Sequence, residues 1–123
     1  MITFKLYSNL PSGKNAVKIT RTGHRYPDKR FKLWRDEALL QINKQRYASG
    51  NTETITYKCG LVVDYTPGDR IIRDVPGLLD ALCHVLEKAG VVKSDGLIRD
   101  CKWHEFPIDR EHPMAVVTIR RLT

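Results

Sequence analysis

The chain lacks any apolar run long enough to cross a membrane, and its opening, Met1 to Asn9, has no apolar core of the secretory kind. We therefore expect no membrane segment and no export. Cysteine is scarce: Cys59, Cys83 and Cys101 form no Cys-x-x-Cys pair. That odd count argues against a disulfide frame and leads us to expect reduced thiols in a cytoplasmic protein. Cys101 and His104 stand at a Cys-x-x-His spacing, but without a second pair they make a poor zinc motif. There is no internal repeat, no low-complexity tract and no glycine-rich phosphate loop of Walker or dinucleotide type.

Acidic residues are sparse in the first third. Up to residue 36 the acids are Asp28 and Asp36, against Lys5, Lys14, Lys18, Arg21, Arg25, Lys29, Arg30, Lys32 and Arg35. Over all 123 residues the net charge is +7. Such an imbalance attracts polyanions by steering and counterion release, or else forms an ordinary solvated surface. The length suits a single domain, residues 1–123, and the 41% hydrophobic content suffices for a modest core.

Several stretches alternate with period two. Ile2, Phe4 and Leu6 oppose Thr3, Lys5 and Tyr7, which predicts a strand over 2–8. Pro11-Ser12-Gly13 is a turn, and Lys14-Asn15 follows on a loop. Short strands are expected over 17–21 and 25–26. From Lys29 to Tyr47 the pattern is helical, with Phe31, Trp34, Ala38 and Ile42 on one side. Trp34 falls on that stripe and reads as a core anchor rather than a base-stacking platform. The clearest strand spans 53–65, with Ile55, Tyr57, Cys59, Leu61, Val63 and Tyr65 facing one way. Further strands are expected over 97–103 and 114–120. The sum is an α+β fold: a mostly antiparallel sheet of five or six strands with two main helices on one face.

The second helix lies in Arg70–Asp95. Ile71 and Ile72 read as a strand-like apolar pair, Asp74 as an N-cap, and Pro76 as a first-turn residue. Leu78, Leu82, Val85, Leu86 and Ala89 form the apolar stripe, and Gly90 closes it. Asp74 and Asp95 thus flank a helix of ~20 Å. They meet only if the following strand folds back beside the start of the helix.

This stretch resembles the core motif of the RusA family of Holliday-junction resolvases. Asp74, the ending Lys88-Ala89-Gly90, Val91-Val92 and Asp95 fall in register with it. Leu10-Pro11-Ser12-Gly13-Lys14-Asn15 and the helix carrying Trp34-Arg35-Asp36-Glu37-Ala38 are similar too, so the resemblance spans nearly the whole chain. The sequence departs from the family at Pro76, where a second carboxylate is usual, at Gly77 for Asn, at Asp80 for the catalytic Lys, and at Ser94 for a second acid.

The resemblance implies a homodimer acting on a four-way DNA junction or related branched DNA by Mg²⁺-dependent phosphodiester hydrolysis, with Mn²⁺ as the alternative ion. It carries Asp74 and Asp95 over as metal ligands. Divalent ions suit this chemistry because they hold phosphate oxygens and acidify a bound water. The expected DNA contacts are Lys14, Asn15, Arg25, Lys29, Lys32, Arg35 and Arg73. Taken alone, Asp74 reads as an N-cap and Asp95 as a turn residue before Gly96. Three readings stay open for Asp80: it joins a rearranged catalytic site, Asp69 or Asp100 fills the gap, or the site is degraded. The alternative function is therefore a RusA-like protein that binds branched DNA without cutting it.

Overall fold

The structure is a computed structural model that describes residues 1–11, 17–19, 25–27 and 29–122, with the backbone alone for 17–19 and 25–27. Its elements in order are β1 (Ile2–Leu6), β2 (Val17–Ile19), β3 (Arg25–Pro27), α1 (Lys29–Ser49), β4 (Cys59–Thr66), α2 (Val75–Lys88), a 3-10 turn (Asp95–Leu97), β5 (Ile98–Glu105) and β6 (Met114–Arg121). The main sheet runs β1-β6-β4-β5, and β2 pairs with β3 in a separate two-stranded ribbon. The main sheet therefore has four strands rather than five or six. It is mixed, since β4 and β5 are parallel while β6 is antiparallel to both β1 and β4.

Alternation explains which side of the sheet is filled. Cys59, Leu61, Val63 and Tyr65 of β4, Ala115, Val117 and Ile119 of β6, and Phe4 and Leu6 of β1 are all buried on one face. Phe31, Trp34, Ala38 and Ile42 of α1 and Leu78, Ala81, Leu82, Val85 and Leu86 of α2 join the same core. Each large apolar side chain buried there contributes roughly 1.5–3 kcal/mol. Both helical stripes thus face the core as their spacing predicts, and Trp34 is a core residue packed 5.9 Å from the Phe31 ring.

The strand expected over 53–65 begins only at Cys59. Ile55 is buried through a different partner: its N–H donates to Val91 O (2.8 Å) and its carbonyl accepts from Lys93 (2.9 Å). Alternation reports which residues face the core, not which segment they pair with. Ile71 and Ile72 are not a strand. They lie in the loop before α2, and Ile72 is 98% exposed.

Two local devices fix the helices. Asp74 caps α2 by accepting from Gly77 N–H at 3.0 Å. At the other end Gly90 adopts φ +75°, and Val91 N–H reaches back to Leu86 O at 2.9 Å. Arg46 of α1 completes that end, donating to Ala89 O (2.7 Å) and Thr52 O (2.6 Å). A cation there also complements the negative end of the helix dipole.

The outer edge of β1 is covered by glutamines of α1. The Gln45 amide accepts from Lys5 N–H (2.8 Å) and donates to Lys5 O (2.7 Å), and Gln41 accepts from Tyr7 N–H (2.9 Å). These side chains stand in for a missing strand and leave the edge no free pairing groups at those points. Gln45→Ala should accelerate hydrogen exchange at the Lys5 amide and lower stability by about 1–2 kcal/mol, the net contribution of two such bonds. Unchanged exchange at Lys5 would refute that role.

Candidate functional site

The parallel pairing of β4 with β5 decides where the carboxylates stand. Cys59 lies opposite Ile98 and Tyr65 opposite Glu105, so both strands start at one end of the sheet and finish at the other. The chain leaves β4 at the finishing end, enters α2 at Asp74, and runs back along the helix. It then starts β5 beside the beginning of β4. Asp95 sits at that starting end, where its N–H donates to Glu87 in the last turn of α2 (3.2 Å). Asp74 and Asp95 are therefore separated by the ~20 Å length of α2. The strand after the helix begins beside the end of the helix and runs back toward its start, so Asp95, just before that strand, stays at the far end. Both residues fill the local roles their neighbours dictate: Asp74 caps α2, and Asp95 opens the 3-10 turn capped by Ser94.

Asp80 is half-buried on α2, ~9 Å along the axis from Asp74. Asp100 bonds Arg120 at 2.7 Å across Gly60, the β4 residue that lies between them in the sheet. Among the described residues no three His, Cys, Asp or Glu side chains come together to hold a metal ion. Among the described residues of one chain, Asp74 and Asp95 therefore do not meet at a common Mg²⁺ site. Cys101 and His104 do not form a ligand pair either. They alternate across β5, and His104 instead meets Asp64 at 3.0 Å on the face away from the core.

The finishing end of β4 and β5 carries a cleft of about 360 Å³. Its walls include Asp69, Arg70, Ile71, Arg73, Phe106 and Ile108. Asp69 and Arg73 form a two-pronged pair, at 2.9 and 3.1 Å, and Asp69 also accepts from Ile71 N–H (3.1 Å). The Arg73 hydrogen bonds hold the Asp69 carboxyl below the usual carboxylate range, and the same bonds raise Arg73. Arg73 is thus partly neutralised, whereas exposed Arg70 has no ionic or hydrogen-bonding partner among the described residues. Sequence reasoning missed Arg70 because it stood next to an apolar pair read as a strand.

Tyr65 ties the N-terminal loop to this end. Its hydroxyl accepts from Leu10 N–H (3.1 Å), and Asn9 Oδ1 accepts from Gly68 N–H (2.7 Å). Lys14 and Asn15, expected on the segment that leaves from Pro11, lie outside the described residues, as does the side chain of Arg25. Lys29 and Lys32 are exposed in the opening turns of α1 and do not line the cleft, while Arg35 is half-buried against Asp36 (3.4 Å). The first turn of α1 contains no acid. Lys29 and Arg30 therefore add to the positive end of the helix dipole instead of opposing it, against the usual helix preference.

Compared with known proteins, the chain matches no family pattern and no curated sequence.

The Asp69–Arg73 pair sets a pH signature. A carboxylate with a lowered pKa adds stability that is present above the unfolded value, about 3.9, and fades as pH falls through the lower folded value. Carboxyl NMR titration should place the Asp69 midpoint below that of an ordinary Asp, and Arg73→Gln should return it to the ordinary range. An unmoved midpoint would show that Arg73 is not the cause.

Proposed function

We propose that the protein binds branched DNA and resolves Holliday junctions as a Mg²⁺-dependent endodeoxyribonuclease of the RusA type. The observation that carries the DNA-binding part is the massing of positive charge against local helix preference in the opening turns of α1, with Arg70, unpartnered among the described residues, beside the cleft. Charge held where it opposes the fold's own electrostatics points to a polyanionic ligand. The nuclease part rests on the resemblance around Asp74 and Asp95. Since α2 keeps these carboxylates apart within a chain, a site using both requires Asp74 of one copy and Asp95 of a second. A homodimer supplies that and suits a two-fold junction.

A second reading is favoured by one set of contacts. Asp74 is occupied as a cap, Asp69 is held by Arg73, and Asp100 is held by Arg120. A protein so arranged would bind junctions and leave them intact.

A labelled synthetic four-way junction separates the readings. The parent should nick it in Mg²⁺, and Asp74→Asn and Asp95→Asn should each abolish nicking. Asn keeps the cap at residue 74, so loss there would not report unfolding. Co-expressed Asp74→Asn and Asp95→Asn chains should regain nicking in the mixed dimer, because one of its two shared sites keeps both carboxylates. No rescue would exclude a shared site. Junction binding without cutting, in Mg²⁺ or Mn²⁺, would favour the binding protein.

Binding itself has a separate signature. Replacing Lys29 or Lys32 by Ala should flatten the dependence of log affinity on log salt by about 0.9 for each phosphate that the lysine neutralises. An unchanged slope would remove that residue from the interface.

A further inference from the structure

Leu33, Leu40 and Tyr47 are exposed on α1 to 66%, 57% and 82%. They recur every seventh residue. At ~100° per residue a seven-residue step returns within ~20° of the same line, so the three form one stripe along the helix. The core residues Phe31, Trp34, Ala38 and Ile42 lie roughly 160° round from it. Among the described residues the stripe takes no part in the core, and none covers it.

The charges beside the stripe indicate what would cover it. Asp36, which Arg35 of the same helix approaches at 3.4 Å, and Lys44 are both exposed and lie four residues to either side of Leu40. Suppose α1 packs against α1 of a second copy, antiparallel, with the two-fold axis at Leu40. Leu40 then meets Leu40, Leu33 meets Tyr47 of the second copy, and Asp36 meets Lys44 of the second copy, twice over. A parallel arrangement would instead set Asp36 against Asp36 and Lys44 against Lys44. The surface is thus self-complementary in one orientation only, as a closed two-fold contact demands.

We propose that this face of α1 is the surface through which two copies of the chain pair, antiparallel about Leu40. The basic opening turns of the two α1 helices would then stand at opposite ends of the pair, separated by roughly the ~30 Å length of the helix. The inference rests on the homodimer in the proposed function, but its test reads mass and needs no DNA.

Sedimentation of the full chain over a dilution series should show a dimer that dissociates at low concentration. Leu40→Glu, which sets two carboxylates face to face, should give a monomer with the parent's circular dichroism. Asp36→Lys and Lys44→Asp should each weaken the dimer roughly tenfold or more, and the double reversal should restore it. The exposed charge pair decides the matter if Leu40→Glu fails to fold. A parent that stays monomeric at every concentration overturns the proposal. So does a dimer indifferent to all three single changes, which would place the contact elsewhere. A monomeric parent that still nicks junctions would overturn the pairing and the shared Asp74–Asp95 site while keeping nuclease activity, whereas a dimer that ignores DNA would keep the pairing and overturn the nuclease.

Discussion

The parallel pairing of β4 with β5 is the constraint on which the rest of the molecule depends. Two neighbouring strands running the same way need a connection that returns the full length of the sheet, and here α2 supplies it. That return covers the core face of the sheet with Leu78, Ala81, Leu82, Val85 and Leu86. It also fixes the two ends of the molecule. The loop carrying Asp69, Arg70 and Arg73 gathers where β4 and β5 finish, the position at which open sheets with such crossovers form ligand clefts. Asp95 is held at the other end. No side-chain adjustment closes a gap set by a helix of this length, so any chemistry shared by Asp74 and Asp95 must be intermolecular.

Around that unit, α1 serves three tasks at once. Its apolar side fills the core, its glutamines close the edge of β1, and Arg46 satisfies carbonyls at the end of α2 and in the loop that follows α1. Its outer side carries an apolar line, uncovered among the described residues, and a cluster of positive charge in its opening turns. The two features sit on one helix, and that couples them: pairing along the line would determine how far apart two basic patches are presented.

Much of this was legible in the sequence for local reasons. Asp74, Pro76 and Gly90 delimit α2 because capping and left-handed closure depend on backbone geometry within a few residues. The buried residues of α1, β4 and β6 follow from periodicity, which encodes one filled side. The strand start at Cys59, the bridge of Ile55 to Val92, and the loop at Ile71-Ile72 did not follow, because pairing partners are distant in sequence. The cleft was missed for the same cause. Phe106 and Ile108 come from after β5 and Arg70 from before α2, and only the parallel register brings them together.

The sequence by itself determined the two main helices, the faces that the helices and strands bury, and an excess of positive charge concentrated toward its first third. It also determined that Asp74 begins a helix and that Asp95 follows one. Only the tertiary structure decided that these two carboxylates stand apart, that Asp69 rather than Asp95 neighbours the start of α2, and that Arg73 is engaged by Asp69. The physical reason is the range of the forces involved. Caps, turns and apolar periodicity act within a few residues, whereas the distance between two side chains is set by strand order and register, which the whole core selects together.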